Sequence, residues 1–273
     1  MAFRTILLEL LDDSQNDPRI ECGRKLAARF EAELVGIHVS PPPFLLVGFG
    51  EGAAYVGPEV FEAQREANRL VRERVEAAFR RLCDPARMAV RDIYEEGDAG
   101  DLLAEAAHGA DLTIVGQEGG TGLDALGPQP IHHVILSAGG PVLVLPRGGL
   151  GATLGQKVVV AWNGSREASR AAKDALPFLA AAESVTLIAA GEEVSATLDV
   201  GAALLRRHGA KVATKQVEAG SSHGSTLLDA AEAEGADLLV MGAYGHSRLR
   251  EIVLGGATRE VLSGARLPVL LSC

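Results

Sequence analysis

The sequence predicts an α/β protein built from two tandem doubly wound domains, each with a five-stranded parallel sheet. Three observations support this prediction. Short apolar runs alternate with segments of helical periodicity, the second half repeats the element order of the first, and a glycine-rich segment separates the halves. The chain has 273 residues, and its low aromatic content of 4% favours helices packed on a buried sheet over an all-β sandwich.

A glycine-rich linker, RGGLGAT (147–153), divides the chain into predicted domains at residues 1–147 and 154–273. Such segments are flexible and cannot build a core. Each half opens with a short apolar run, TILLEL (5–10) in the first and KVVVAW (157–162) in the second. Both runs end in polar turn residues and are typical of buried strands.

The closing parts of the two halves match more closely. GADLTIVG (109–116) corresponds to GADLLVMG (235–242), and PVLVL (141–145) corresponds to PVLLS (268–272). Strands that alternate with helices give a parallel sheet with right-handed crossovers. The apolar fifth strands can pair edge to edge, so we expect an intramolecular pseudo-dimer, with a homodimer through another face as the alternative. The first half also carries an extra segment over 41–58, rich in Pro, Gly and Phe.

Charge and composition exclude several partners. The formal net charge is −10, which disfavours binding to nucleic acid or to anionic lipid. No run of about 18 apolar residues is present, so no membrane span is expected. The three cysteines, Cys22, Cys83 and Cys273, do not form a disulfide framework, and we therefore expect a reducing, cytoplasmic location.

A group of glycines follows the fourth strand of the second half, in MGAYGHSRLREIVLGGAT (241–258). Gly242 and Gly245 flank the turn that leaves the strand, and the absence of Cβ atoms lets a ligand approach the backbone. Gly255 and Gly256 precede a helical run, whose free N–H groups and dipole favour an anion. This arrangement predicts a nucleotide site, with the sugar near the first pair and the phosphates at the second.

The spacing Gly-x2-Gly-x9-Gly, after an apolar strand ending in Met241 and before a Pro-Val-Leu strand, resembles that of the universal stress protein family. The resemblance covers nearly the whole chain as two tandem copies and is closest in 165–182 and 236–272. It implies a Rossmann-like, adenine-nucleotide-binding fold. It also implies ATP as ligand, with AMP or ADP as the alternatives and Mg²⁺ only together with the nucleotide.

The resemblance further implies which residues contact the nucleotide. Residues at three strand ends would hold the adenosine, and those of the glycine segment would hold the ribose and phosphates. These residues are Ala161, Trp162, Asn163, Ala190, Met241, Gly242, Gly245, His246, Gly255, Gly256, Ala257 and Thr258. The only tryptophan, Trp162, would either stack on the base or pack over the interface between the halves.

The second half departs from the family pattern at two positions. Gly256 stands where the family usually has Ser or Thr, and Thr258 is the candidate to supply a hydroxyl instead. Asn163 stands where Asp is common, so it can accept a bond from a ribose hydroxyl without carrying a charge. With no evident general base, we expect a regulatory protein with at most slow ATP hydrolysis.

The first half departs further from the pattern. Gly116 and Gly119 keep the first glycine pair, but Gln129 and Pro130 replace the second pair. Proline donates no N–H, and Glu118 places negative charge near any phosphate. We therefore predict that the first half does not bind a nucleoside triphosphate in this manner and instead supports the second half.

Two other functions compete with nucleotide binding. GSSHG (220–224) matches the nucleophile elbow of serine hydrolases, with Ser222 as nucleophile and Asp237 and His246 as partners. Against it, Asp237 begins a strand and the strand before Ser222 alternates in polarity, so we favour Ser222 as a helix N-cap. The third hypothesis is a ligand-free interaction module with purely structural glycines.

A metal site is not predicted. His132 and His133 are adjacent in sequence, and neighbouring residues on a helix point about 100° apart. They therefore rarely share one ion, and no further ligand stands at metal spacing.

Overall fold

The computed structural model describes residues 2–42, 58–84, 88–117, 130–191, 197–218, 220, 222–245 and 256–273. Most of the extra segment predicted over 41–58 lies outside these ranges. Within them, the alternation of strands and helices predicted from the sequence is present in both halves.

The first half contains five strands and four helices among the described residues. They are β1 (Thr5–Glu9), α1 (Asn16–Phe30), β2 (Glu33–Ser40), α2 (Pro58–Cys83), β3 (Val90–Glu96), α3 (Ala99–Ala107), β4 (Leu112–Gly116), α4 (Pro130–Ser137) and β5 (Val142–Leu145). The side chain of Asp98 begins α3 by accepting a hydrogen bond from the N–H of Asp101, as an N-cap does.

The second half repeats this order, with one additional short helix in the part that the structure describes. Its elements are β6 (Lys157–Ala161), α5 (Arg166–Asp174), α6 (Leu176–Leu179), β7 (Ser184–Ala190), α7 (Leu198–Arg207), β8 (Val212–Val217), α8 (His223–Ala233), β9 (Leu238–Gly242), α9 (Gly256–Gly264) and β10 (Val269–Ser272). Ser165 caps α5 by accepting from the N–H of Ala168.

The described strands form one ten-stranded sheet in the order β3-β2-β1-β4-β5-β10-β9-β6-β7-β8. Within each half the described strand pairs are parallel, whereas β5 and β10 pair antiparallel, with Leu143 opposite Leu270. The two five-stranded sheets are thus joined by their fifth strands, which removes two exposed edges. Because the halves run in opposite directions, their strands end at opposite edges of the continuous sheet.

The halves also share a hydrophobic core. Phe3 and Phe30 of the first half contact Phe178 of the second, with ring centroids 5.6 and 5.4 Å apart. The guanidinium of Arg29 lies over the rings of Phe30 and Phe178 and donates to the carbonyl of Leu154 at 2.9 Å. This aromatic cluster, on one face of the sheet, connects α1 with α6 and stabilises the tandem arrangement.

None of the described helices combines the length and the apolar character that a membrane span requires. The strand before Ser222 is β8, which lies at the end of the sheet and is largely exposed, as its alternating sequence predicts.

Candidate functional site

The turn after β6 lies at the carboxyl edge of the second half, where ligands of doubly wound folds bind. Ala161 is buried at the end of the strand, whereas Asn163 is exposed. The side-chain oxygen of Asn163 accepts a hydrogen bond from the N–H of Ser165 at 3.1 Å, which shapes the turn into α5. Ala190, at the end of the neighbouring strand β7, is half-buried.

The indole ring of Trp162 packs within the second half rather than over the interface between the halves. Its exposed fraction is only 6%, and its Nε1 donates to the carbonyl and hydroxyl oxygens of Thr197 at 3.1 and 3.0 Å. A Cβ on Gly201 of α7 would approach the ring to 2.9 Å. The ring is therefore committed to packing, and a base at this turn would meet the backbone of Trp162 rather than its ring.

Helix α5 approaches the glycine pair after β9 closely, with its backbone at Gly242 and with a side chain at Gly245. A Cβ on Gly242 would lie 2.5 Å from the backbone N of Ala168, and one on Gly245 would lie 3.0 Å from a carboxylate oxygen of Glu167. Met241, which precedes the pair, is buried, and Tyr244 within it has a φ of 59°. Packing against the backbone of α5 alone explains a glycine at 242, whether or not a ligand binds there, whereas the Glu167 side chain beside Gly245 could move to admit a Cβ.

The carboxylate of Glu167 brings negative charge to the glycine turn. Burial would raise its pKa, but hydrogen bonds from its own backbone N–H and from Arg166 and Ser165 outweigh burial and lower the pKa below the usual range. Its side chain is 12% exposed and forms an ion pair with Arg166 at 2.8 Å. An ionised Glu167 favours an uncharged hydroxyl-bearing group beside Gly245 over a phosphate.

Gly256 begins α9 directly after residues that lie outside the described ranges. Among the described residues no atom lies within 4 Å of a Cβ built on Gly256, and Gly256 is exposed. Ala257 is half-buried, whereas Thr258 is only 3% exposed and its hydroxyl oxygen lies 3.5 Å from the N of Tyr244. The Thr258 hydroxyl thus faces the glycine turn. His246 and Gly255, also predicted as ligand contacts, lie outside the described residues.

The turn after β9 contacts the first half. The hydroxyl of Tyr244 and the Nδ1 of His132, on α4, are hydrogen-bonded, and their rings lie 6.2 Å apart. Burial, and to a smaller degree the nearby Arg259, lower the pKa of His132, so its ring is neutral at pH 7. His133 instead faces Asp101 at 3.2 Å, so the two histidines have different partners. Among the described residues no group of His, Cys, Asp and Glu could hold a metal.

Ser222 is the N-cap of α8, as the sequence favours. Its hydroxyl accepts from the N–H of Ser225 at 3.2 Å and also contacts the Ser225 hydroxyl at 2.9 Å. The carboxylate of Asp237 accepts from the backbone N–H groups of residues 155–157, before β6, at the opposite edge of the sheet. A hydrolase triad of Ser222, Asp237 and His246 therefore finds no support in this arrangement.

The carboxyl edge of the first half holds a buried charged cluster that the sequence analysis did not single out. The carboxylate of Glu9 accepts from the N–H of Gly116 at 3.0 Å, and Arg19 forms an ion pair with Asp13 at 3.0 Å. A Cβ on Gly116 would lie 2.7 Å from Nη2 of Arg19. Gly116, which corresponds to Gly242 of the second half, thus leaves space for the guanidinium of Arg19. The acidic Glu9 inside the apolar run 5–10 was the one signal in the sequence.

This cluster predicts a pH dependence of stability. Burial raises the pKa of Glu9, against the opposing effects of Arg19 and of the Gly116 N–H, and Asp13 raises it further. A carboxyl whose pKa is raised in the folded state stabilises the fold below its ordinary pKa and loses that contribution as the pH rises through the folded value. The free energy of unfolding of the wild type, relative to that of a Glu9→Gln variant, should therefore fall from about pH 4 towards neutral pH.

Urea unfolding of wild type and Glu9→Gln over that pH range measures the difference. Glutamine keeps an oxygen that can accept from Gly116, so the backbone contact is retained. Curves of unfolding free energy against pH that run parallel for the two proteins would contradict a raised pKa at Glu9.

Taken together, the sheet topology and the carboxyl edge of the second half define a tandem doubly wound α/β protein. At that edge an exposed glycine begins α9 beside the glycine turn. The universal stress protein family model matches residues 3–146 and 189–272, which is well over half of the chain. The chain belongs to the universal stress protein family.

One sequence relative is universal stress protein Slr1230 of Synechocystis sp., 30% identical over 195 residues that make up 67% of this chain and 64% of the relative. The chain thus matches somewhat less than two thirds of that protein's length. A universal stress protein from Archaeoglobus fulgidus has the same fold, with a TM-score of 0.75, 18% identity and coverage of 98% of this chain and 95% of the other. Another solved family member is a complex with cAMP; it covers 43% of this chain and 97% of its own, with 22% identity and a TM-score of 0.37.

Proposed function

We propose that the second half binds an adenine nucleotide, with ATP as the preferred ligand, and that the protein acts as a nucleotide-dependent regulator of the stress response. The observation that supports this most is the amino end of α9, where Gly256 is exposed and no atom of the described residues lies within 4 Å of a Cβ built on it. Unpaired backbone N–H groups at such an end, together with the helix dipole, stabilise phosphate oxygens.

The charges around the site support a particular orientation of the ligand. The carboxylate of Glu167 lies beside Gly245, so the ribose hydroxyls belong there and the phosphates belong at Gly256. Asn163 is exposed on the turn after β6, where it can meet the ribose or the base. Mg²⁺ would accompany the phosphates, since no described cluster of protein ligands could hold it.

Regulation would be conformational. Tyr244 lies in the glycine turn and is hydrogen-bonded to His132 of the first half. A nucleotide that orders this turn would stabilise the contact between the halves and shift the population of conformations. Hydrolysis would be slow at most.

The free cysteines Cys22 and Cys83 are buried, and burial raises their pKa values to about 12 and about 11, which suits a reducing, cytoplasmic location and no thiol chemistry.

Titration calorimetry of the full chain with ATP, ADP and AMP, each with and without Mg²⁺, tests the proposal. We expect one nucleotide per chain, because α4, the corresponding helix of the first half, begins with Pro130, which has no N–H, whereas α9 begins with Gly256. Nucleotide released by denaturing the purified protein and identified by mass spectrometry is an independent measurement. No heat and no rise in melting temperature at millimolar nucleotide would overturn the proposal and leave an interaction module.

A further inference from the structure

A cavity of about 790 Å³ opens at the carboxyl edge of the first half, opposite to the edge that carries the proposed nucleotide site. It is bounded by the ends of β1, β4 and β5 and, from the second half, by α9. Much of its wall is apolar and comes from Leu11, Leu103, Val115, Ile131, Val134 and Leu145. A cavity of this size accommodates a small organic molecule.

Charged side chains on the wall favour an anion. Three arginines line the cavity, Arg19 at its base and Arg147 and Arg259 as exposed residues, against two acids, Glu9 and Asp13. Asp13 is already paired with Arg19 at 3.0 Å, and the carboxylate of Glu9 accepts from the N–H of Gly116 at 3.0 Å. The positive charge in the cavity therefore exceeds the negative charge.

Arg19 is the group that identifies the kind of ligand. Its side chain is only 3% exposed, yet among the described residues its Nε and Nη1 have no hydrogen-bond partner, and Nη2 alone is bonded, to Asp13. Buried N–H donors of a guanidinium are costly to leave without an acceptor. A carboxylate or phosphate oxygen is the acceptor that a guanidinium binds most strongly.

We propose that this cavity binds a small organic acid, whose carboxylate or phosphate group pairs with Arg19 while its apolar body lies against the leucine, valine and isoleucine wall. This site is separate from the proposed nucleotide site. It lacks the means by which that site would hold phosphates, because α4 begins with Pro130, which has no N–H, and Arg19 fills the space over Gly116.

Calorimetry on the full chain tests the proposal with 4-phenylbutyrate, phenyl phosphate and the neutral isostere 4-phenylbutanamide. We expect one or both acids to bind, and the comparison of the two acids shows whether carboxylate or phosphate is preferred. The amide should bind at least about tenfold more weakly, because a charge-assisted hydrogen bond to the guanidinium is lost. Equal affinity of acid and amide, or no binding of any probe at millimolar concentration, would overturn the proposal.

Variants locate the site. Arg19→Gln should lower the affinity for the acid by about tenfold or more, and Arg259→Gln, at an exposed position on the wall, should lower it severalfold. Arg91→Gln is the matched control, because Arg91 is an exposed arginine on the edge strand β3. If Arg19→Gln does not fold, as judged by its melting curve, the Arg259→Gln comparison decides the result. Unchanged affinity in the folded variants, or competitive displacement of the acid by AMP, would count against the site.

Discussion

Replacing Gly256 by valine is expected to abolish nucleotide binding by the second half while leaving the free energy of unfolding nearly unchanged. No atom of the described residues lies within 4 Å of a Cβ at this position, so that part of the fold has room for the side chain. The same free space is where phosphate oxygens would have to approach the N–H groups at the start of α9. We expect the affinity for ATP to fall by at least about tenfold, which calorimetry of the two proteins measures.

Variants at two other glycines distinguish the loss of ligand binding from the loss of stability. Gly148, in the linker, also has no atom within 4 Å of a built Cβ, so Gly148→Val should change neither ATP affinity nor stability. Gly242→Ala should instead destabilise the protein by about 1–3 kcal/mol, because its Cβ would lie 2.5 Å from backbone atoms of α5. Urea unfolding of all three variants gives the comparison.

The contrast between Gly256 and Gly242 makes the prediction specific. If Gly256→Val binds ATP as tightly as the wild type, the phosphates do not lie at α9 and the proposed orientation is wrong. If Gly256→Val instead unfolds as readily as Gly242→Ala, the amino end of α9 is a packing element like the glycine turn.

The sequence predicted the architecture well because the sequence pattern of one domain occurs twice in the chain. A single apolar run such as 141–145 is ambiguous, but its repetition at 268–272, in the same place relative to a Gly-Ala-Asp strand, identifies both as fifth strands. The pairing of these two strands with each other follows from their short, apolar and otherwise exposed edges, whereas its antiparallel direction is seen only in the structure. Repetition, rather than local propensity, was the stronger signal.

The site was less predictable, because its side chains are placed by contacts between distant parts of the chain. Sequence spacing cannot show how closely α5 approaches Gly242. A glycine required by packing and a glycine that contacts a ligand therefore cannot be distinguished from the sequence. His132 and Tyr244 are 112 residues apart, and no local pattern relates them. The ring of Trp162 likewise faces Thr197 because of where α7 packs.

The buried cluster in the first half shows a different limit. Arg19 lies on α1 at helical spacing from the buried Cys22 and Leu26, but an arginine on such a face can extend its guanidinium to solvent, so the spacing does not predict a buried charge. Only the three-dimensional contact with Gly116 reveals that its guanidinium is inside. The degenerate glycine motif of the first half was visible in the sequence, whereas the residue that occupies the space was not.

Replacing Phe178 by alanine is expected to lower the free energy of unfolding of the whole chain by about 3–5 kcal/mol, because it removes a fully buried ring from the contact between the halves. Val200→Ala, at a position 68% exposed, is the control for trimming an apolar side chain and should cost close to nothing.

Two probes of the same urea unfolding test whether the halves unfold together. Fluorescence of the single tryptophan, Trp162, reports on the second half, and far-ultraviolet circular dichroism reports on both. Because β5 and β10 pair and the Phe178 cluster spans the halves, both probes should show one coincident transition, shifted equally by Phe178→Ala. A fluorescence transition that shifts while part of the dichroism signal stays at its original midpoint would show that the first half folds independently.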